Sequence, residues 1–114
     1  MKGKTCFYDV EKLDGAIRIL LRGEMDHHNA VSVRGEIDGL IYSERPQRLL
    51  LDMSEIGFMD SSGLGFVMGR YALMEKLGGI LVLENPNERI TKIFELAGLG
   101  RIVKIEGEKK ENIK

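Results

Sequence analysis

The chain has 114 residues, of which 43% are hydrophobic and 31% are charged, and its net charge is −1. This length supports one domain with its own hydrophobic core and is too short for two. This balance of charges gives no electrostatic reason to expect nucleic acid or an anionic membrane as the main partner, so we expect a protein or small-molecule partner.

The chain contains a single cysteine, Cys6. One cysteine excludes an internal disulfide and a cysteine-rich metal site, and it fits an intracellular compartment. No apolar run approaches the roughly 20 residues of a membrane-spanning helix, and the polar residues 1–5 lack the apolar core of a signal peptide. We therefore expect a cytoplasmic protein.

The first half of the chain predicts a hairpin followed by a helix. Residues 5–10 and 16–21 have the character of strands, and the Asp-Gly pair between them is a hairpin turn signal. Residues 23–29 form a polar loop with helix-capping side chains. An apolar stripe of helical period follows and ends before Pro46. The stripe consists of Ala30, Val33, Ile37, Leu40 and Ile41.

The second half of the chain alternates strands with helices. Residues 49–53 are consecutively apolar, as expected for a buried strand, and a helix follows from Ser61 to a Gly-Gly pair. Residues 80–83 predict another buried strand. A third helix begins near residues 85–87, and residues 102–105 predict a last short strand.

These elements predict one α/β domain over residues 1–106. The initial hairpin and the alternating strands and helices indicate a mixed sheet with right-handed strand–helix–strand crossovers. Residues 107–114 contain glycine, glutamate and lysine with little to bury, which predicts a flexible tail.

Two hydroxyls, those of Ser61 and Ser62, lie where the third strand meets its helix. Unpaired N–H groups and the positive end of the helix dipole gather at such a point, so they favour a phosphate on either serine. The alternative is that a serine caps the helix, which contributes about 1 kcal/mol. Both interpretations can hold together.

Three separated motifs resemble the STAS domain family. They are Gly-Glu-Met-Asp-His-His at 23–28, Phe-Met-Asp-Ser-Ser-Gly-Leu-Gly at 58–65 and Ala-Gly-Leu at 97–99. The resemblance covers nearly the whole chain, and the order of the family's elements agrees with the predicted order. Among STAS domains, the similarity is to the anti-sigma-factor antagonists of sporulation.

The resemblance implies a regulator without catalytic activity or a cofactor. Its unphosphorylated form would bind an anti-sigma factor that is also a serine kinase, and this binding would release a sporulation sigma factor. Phosphorylation of the family's serine, which maps onto Ser61, would break the complex, and a serine phosphatase would restore it. The alternative is a nucleotide-binding or sensory STAS module in a larger signalling assembly.

The helix that follows Ser61 predicts an additional patch. On a helical wheel Phe66 and Leu73 fall away from the core-facing stripe, with Arg70 between them. Two large apolar groups facing outward indicate a protein-binding surface, unless another element covers them. By analogy with the family, Leu99 extends this surface or else plugs the edge of the core. The expected partner-binding residues are thus Asp26, His27, His28, Asp60, Ser62, Gly63, Phe66, Arg70, Leu73 and Leu99.

The run Asp26-His27-His28 invites a metal-site interpretation, which the spacing disfavours. Adjacent histidines at a helix start point in different directions, and the chain has no third histidine to complete a site. We expect instead that Asp26 and Asn29 cap the first helix. The resemblance implies that both histidines lie beside the Ser61 loop, where they contact a partner or a weakly bound nucleotide.

Two enzyme-like patterns also fail on spacing. The glycine-rich run after Ser61 resembles a dinucleotide-binding turn, but bulky Met68 stands where that fingerprint needs a small residue. The glycines are better explained by a tight turn and a close approach of helix to sheet. A hydrolase triad of Ser61, His27 and Asp26 is disfavoured because Met59 replaces the first glycine of Gly-x-Ser-x-Gly.

Overall fold

In the computed structural model, which describes residues 6–107, five strands form one mixed sheet. Strands β1 (Cys6–Leu13) and β2 (Ala16–Met25) pair antiparallel, as the Asp-Gly signal predicts. Strands β3 (Arg48–Met59), β4 (Ile80–Glu84) and β5 (Lys104–Glu106) then add in chain order, each parallel to the strand before it. The predicted α/β domain with a mixed sheet is confirmed.

Three helices connect the parallel strands within this part of the chain. They are α1 (His27–Glu44), α2 (Ser61–Lys76) and α3 (Glu88–Leu96), and a short 3-10 turn, Leu99–Arg101, follows α3. Each α-helix begins after a residue whose side-chain oxygen accepts a hydrogen bond from a backbone N–H in the first turn. These N-cap residues are Asp26, Asp60 and Asn87.

The hydrophobic core lies on one face of the sheet. Alternate residues of β2, β3 and β4 point to this face, and all three helices pack apolar side chains against them. The other face carries Arg18, whose guanidinium binds Glu84 and Glu11 across the strands. The central members of the core are Ile19, Leu21, Val33, Ile37, Ile41, Leu49, Leu51, Met53, Val67, Met74, Leu83 and Phe94.

Two strands are longer than the sequence predicts. β2 continues to Met25 and α1 begins at His27, so the loop expected at residues 23–29 is reduced to Asp26, and β3 continues to Met59 instead of ending at Met53. The sequence did not predict these extensions because their polar residues are typical of loops, whereas the pairing of β2 with β3 keeps both segments extended. The last strand is also displaced, to Lys104–Glu106 from the predicted 102–105.

The predicted tail lies outside the described residues apart from Gly107, as do residues 1–5 of the predicted domain. Among the helices that are described, none is long and apolar enough to cross a membrane.

Candidate functional site

The starts of α1 and α2 lie side by side. Strands β2 and β3 remain paired to their last residues, where Met25 is the register partner of Met59. Asp26 and Asp60 follow these two residues directly and cap the two helices. The pairing of two parallel strands thus brings the motif at 23–28 next to the motif at 58–65, as the family resemblance implies.

Asp60, and not a serine, caps α2. Its Oδ1 accepts hydrogen bonds from the backbone N–H groups of Ser62 at 2.9 Å and Gly63 at 3.3 Å. The prediction that a serine hydroxyl caps this helix is therefore wrong. The Asp60 carboxylate therefore already accepts from two of the N–H groups at the helix start that would favour a phosphate on either serine.

The two serines differ in their surroundings. Ser61 is the exposed first residue of α2, and its hydroxyl has no hydrogen-bond partner in the part of the chain that the structure describes. Ser62 is half-buried, and its Oγ lies 3.5 Å from Nδ1 of His27. Of the pair, Ser61 is the hydroxyl that a protein partner or an enzyme can reach without disturbing a contact.

Gly63 allows α2 to begin against the ends of β2 and β3. A Cβ on this buried residue would lie 2.7 Å from the carbonyl oxygen of Met25 and would collide with the side chain of Met59. Glycine is therefore required here for close packing, in line with the predicted close approach of helix and sheet.

The start of α1 is also capped by an aspartate, and it contains in addition the buried side-chain amide of Asn29. Asp26 accepts a hydrogen bond from the N–H of Asn29 at 3.0 Å, which confirms Asp26 as a cap. The N-cap is Asp26 and not Asn29, which lies within α1 and whose buried side chain donates to the carbonyl of Glu24 at 2.9 Å. His27 and His28 are both exposed beside this cap.

The hydrolase triad is not assembled. His27 approaches Ser62 instead of Ser61, and Asp26 directs its carboxylate to the backbone of its own helix. The residues needed for a nucleophile, a base and an orienting acid are thus present without the hydrogen bonds that would link them.

The predicted outward patch on α2 is wrong in its orientation. Phe66 is only 3% exposed and Arg70 only 5%, and Leu73 is half-buried against the core. The reason is that α1 lies alongside α2 and covers this face. The Arg70 Nε lies 2.8 Å from Oδ1 of Asp38 on α1, and its guanidinium stacks over the Phe66 ring at 5.0 Å.

Arg70 is a buried cation held by a partly exposed anion. Burial lowers the pKa of its guanidinium, and the carboxylate of Asp38 opposes that shift. Leu99 is also buried, with 1% of its surface exposed, and it belongs to the core cluster. Of the two roles considered for Leu99, the structure therefore supports the core plug.

The face of α2 that does reach solvent begins at Ser61. Gly65, Met68 and Ala72 are exposed at steps of three and four residues from it, and Met68 is 39% exposed. Phe58, at the end of β3, is exposed nearby in the chain. Counting helical spacing from Ser61 itself would have identified this apolar face from the sequence.

Comparison with known proteins identifies the family to which this chain is similar. The chain matches the family model of the STAS domain over residues 8–112. It is 33% identical over 97 residues to the anti-sigma F factor antagonist of Paenibacillus polymyxa, which covers 85% of this chain and 83% of that protein. It is also 33% identical over 97 residues to the anti-sigma-B factor antagonist of Bacillus subtilis strain 168, covering 85% and 87%.

Solved structures agree in fold. The anti-sigma factor antagonist SpoIIAA in its unphosphorylated form superposes with a TM-score of 0.78 at 30% identity, covering 91% of this chain and 90% of that chain. The phosphorylated form of SpoIIAA from Bacillus gives a TM-score of 0.72 at 30% identity, covering 91% and 93%. From the match across nearly its whole length, the chain belongs to the STAS domain family and is a homologue of anti-sigma factor antagonists.

Proposed function

We propose that this protein is an anti-sigma-factor antagonist switched by phosphorylation at Ser61. In its unphosphorylated form it binds an anti-sigma factor that is also a serine kinase, and the bound sigma factor, one that serves sporulation, is released. Phosphorylation ends the binding, and a serine phosphatase restores it. One observation carries the proposal. Ser61, at the first position of α2, is exposed, and its hydroxyl makes no hydrogen bond to the described residues, on a chain homologous to such antagonists.

The surface around Ser61 suits a protein partner. Gly65, Met68 and Ala72 continue from Ser61 along the exposed face of α2, and small and apolar side chains there allow close contact. The capped start of α1, with His27 and His28, lies next to it. An interface centred on Ser61 would therefore have an apolar centre and a polar rim.

A phosphate on Ser61 would oppose this contact through its charge. It adds about −1.5 to −2 charges at neutral pH. The adjacent Asp60 carboxylate already takes the N–H groups of Ser62 and Gly63, so the phosphate stays at the surface and keeps its hydration. A partner would have to remove that hydration and accept two neighbouring anions in the interface, which disfavours binding.

Phosphate mapping tests the switch directly. The purified protein is mixed with ATP and an anti-sigma factor kinase encoded in the same genome, and the product is digested for peptide mass spectrometry. We expect one phosphate, on Ser61, and none in Ser61→Ala. With a kinase shown to be active on another substrate, absence of phosphate would contradict the proposal and favour a sensory or nucleotide-binding role.

Binding measurements test whether negative charge at residue 61 opposes binding of the partner. Ser61→Ala should bind the anti-sigma factor about as tightly as the unchanged protein, whereas Ser61→Asp should bind at least about tenfold more weakly, because it places a second carboxylate beside Asp60. Ser43→Asp, at an exposed position near the end of α1, is the matched control and should leave affinity unchanged. Equal affinities for Ser61→Asp and Ser61→Ala would contradict the mechanism.

A further inference from the structure

A groove of about 290 Å³ runs between α1 and α2 from the position of Ser62. Its floor is apolar, formed by the buried Phe66 and Ala30. One wall carries His27 and Arg34 of α1, and the other is the backbone of α2 at Gly65 and Gly69. The groove is therefore continuous with the exposed face of α2 that begins at Ser61.

Arg34 gives the groove a positive charge that is not paired with any described residue. The residue is exposed, and its guanidinium makes no ion pair or hydrogen bond within residues 6–107. His27 and Arg34 are seven residues apart, so they stand on the same side of α1 about 10 Å from each other. Arg70, deeper in the groove, is already paired with Asp38.

The electrostatic influence of Arg34 extends into the groove. Burial is the main cause that lowers the pKa of Arg70, and Asp38 opposes it, but the charge of Arg34 lowers it further. Arg34 thus lies close enough to add positive potential at the groove floor. The carboxylate of Asp38 on α1 is engaged by Arg70.

The two glycines keep the groove open without being required by the fold. A Cβ added to Gly65 or Gly69 would have no heavy atom within 4 Å, and neither glycine has a positive φ. Glycine inside a helix costs about 1 kcal/mol relative to alanine. A methyl group at either position would therefore extend into the groove without a close contact to the described chain.

We propose that this groove receives an acidic side chain of the anti-sigma factor, with its methylene stem over Phe66 and its carboxylate at Arg34. An apolar floor beside an unpaired guanidinium suits a glutamate, which has both a short apolar stem and a charged end. The inference rests on the proposed function, since it names a contact of the partner that binds at Ser61. A phosphate on Ser61, one helical turn from Gly65, would also repel that carboxylate.

The test compares affinities of full-length variants for the anti-sigma factor. Arg34→Gln should weaken binding by about tenfold or more, as expected for the loss of a charged hydrogen bond, and should reduce its salt dependence. Arg48→Gln is the matched control, an exposed arginine at the start of β3 and so at the opposite end of that strand from Ser61. It should leave both properties unchanged.

Filling the groove provides a second, independent measurement. Gly69→Leu should weaken binding by about tenfold or more, as for a blocked contact. A Cβ at this position meets no heavy atom within 4 Å, and a thermal melt of the variant checks that the longer side chain leaves the fold intact. Gly69→Ala is the smaller variant and should retain the fold with an intermediate loss.

The outcomes separate the two proposals. If the unchanged protein does not bind the anti-sigma factor, the proposed function fails and this inference fails with it. If the unchanged protein binds, and both Arg34→Gln and Gly69→Leu bind as tightly as Arg48→Gln, the groove inference is overturned and the proposed function stands.

Discussion

At the scale of one residue, Asp60 determines the surroundings of the proposed phosphorylation site. Its carboxylate takes two backbone N–H groups at the start of α2, so neither serine hydroxyl is needed to stabilise the helix. The Ser61 hydroxyl therefore has no structural role among the described residues, and we expect a chemical change at this hydroxyl to leave the fold intact.

Removing the cap should destabilise the protein, and altering Ser61 should not. Asp60→Ala is expected to lower the free energy of unfolding by about 1 kcal/mol, the usual effect of losing an N-cap. Asp60→Asn retains a capping oxygen and should lose less, and Ser61→Ala should be nearly neutral. Urea denaturation followed by circular dichroism measures all three, and a larger loss in Ser61→Ala than in Asp60→Ala would contradict the assignment of the cap.

Gly63 and Gly65 form a matched pair for testing why the motif contains glycine. Gly63→Ala places a methyl group 2.7 Å from the carbonyl oxygen of Met25 and against Met59, so it should destabilise the protein by about 1–3 kcal/mol. Gly65→Ala meets no atom within 4 Å and should stabilise α2 by up to about 1 kcal/mol. Thermal melting of both variants checks the prediction, and effects of equal sign would contradict it.

At the scale of elements, the packing of α1 against α2 explains both the error over Phe66 and the origin of the groove. A helical wheel of α2 distinguishes the side of the helix that faces the core from its other sides. It carries no information about a neighbouring helix that covers one of those other sides. In the fold, α1 covers the side of α2 that carries Phe66 and Arg70, and Asp38 supplies the counter-charge.

The Asp38–Arg70 pair should respond unequally to loss of either partner. Asp38→Ala leaves a guanidinium buried without a counter-charge, and the expected loss of stability is about 3 kcal/mol. Arg70→Met retains an apolar stem and leaves a carboxylate that is 30% exposed and can be hydrated, so its loss should be smaller.

The double variant Asp38→Ala with Arg70→Met should recover much of the loss caused by Asp38→Ala alone, because no unpaired buried charge remains. Chemical denaturation of the four proteins forms a double-mutant cycle. Additive losses would mean that the two side chains do not interact.

At the scale of the whole molecule, one core cluster joins the three helices to the sheet. A single cluster leaves no division across which one part of the described chain could unfold alone. We therefore expect one cooperative unfolding transition.

Because the chain contains no tryptophan, tyrosine fluorescence and far-ultraviolet circular dichroism are suitable probes of that transition. Their urea curves should coincide, with a slope of about 1–3 kcal/mol per molar urea. Midpoints that differ between the two probes would contradict a single cooperative unit.

The order and type of the elements were predictable because each depends on local signals. The Asp-Gly hairpin, the apolar run of β3 and the stripe of α1 act within a few residues of chain. The junction at Ser61 was predictable for the same reason, since a strand pattern there changes to a helix pattern. Strand ends were less predictable, because residues up to Met25 and Met59 remain extended through their pairing with each other.

The sequence by itself determined the α/β order of this protein, the position of Ser61 at a helix start and the motifs that resemble the STAS family. Only the tertiary structure decided that Asp60 is the cap, that Phe66 and Arg70 are covered, and that Arg34 faces an open groove. The physical reason is that periodicity and capping depend on neighbours along the chain. Burial and charge pairing depend instead on which segments meet in space, and here that is the contact of α1 with α2.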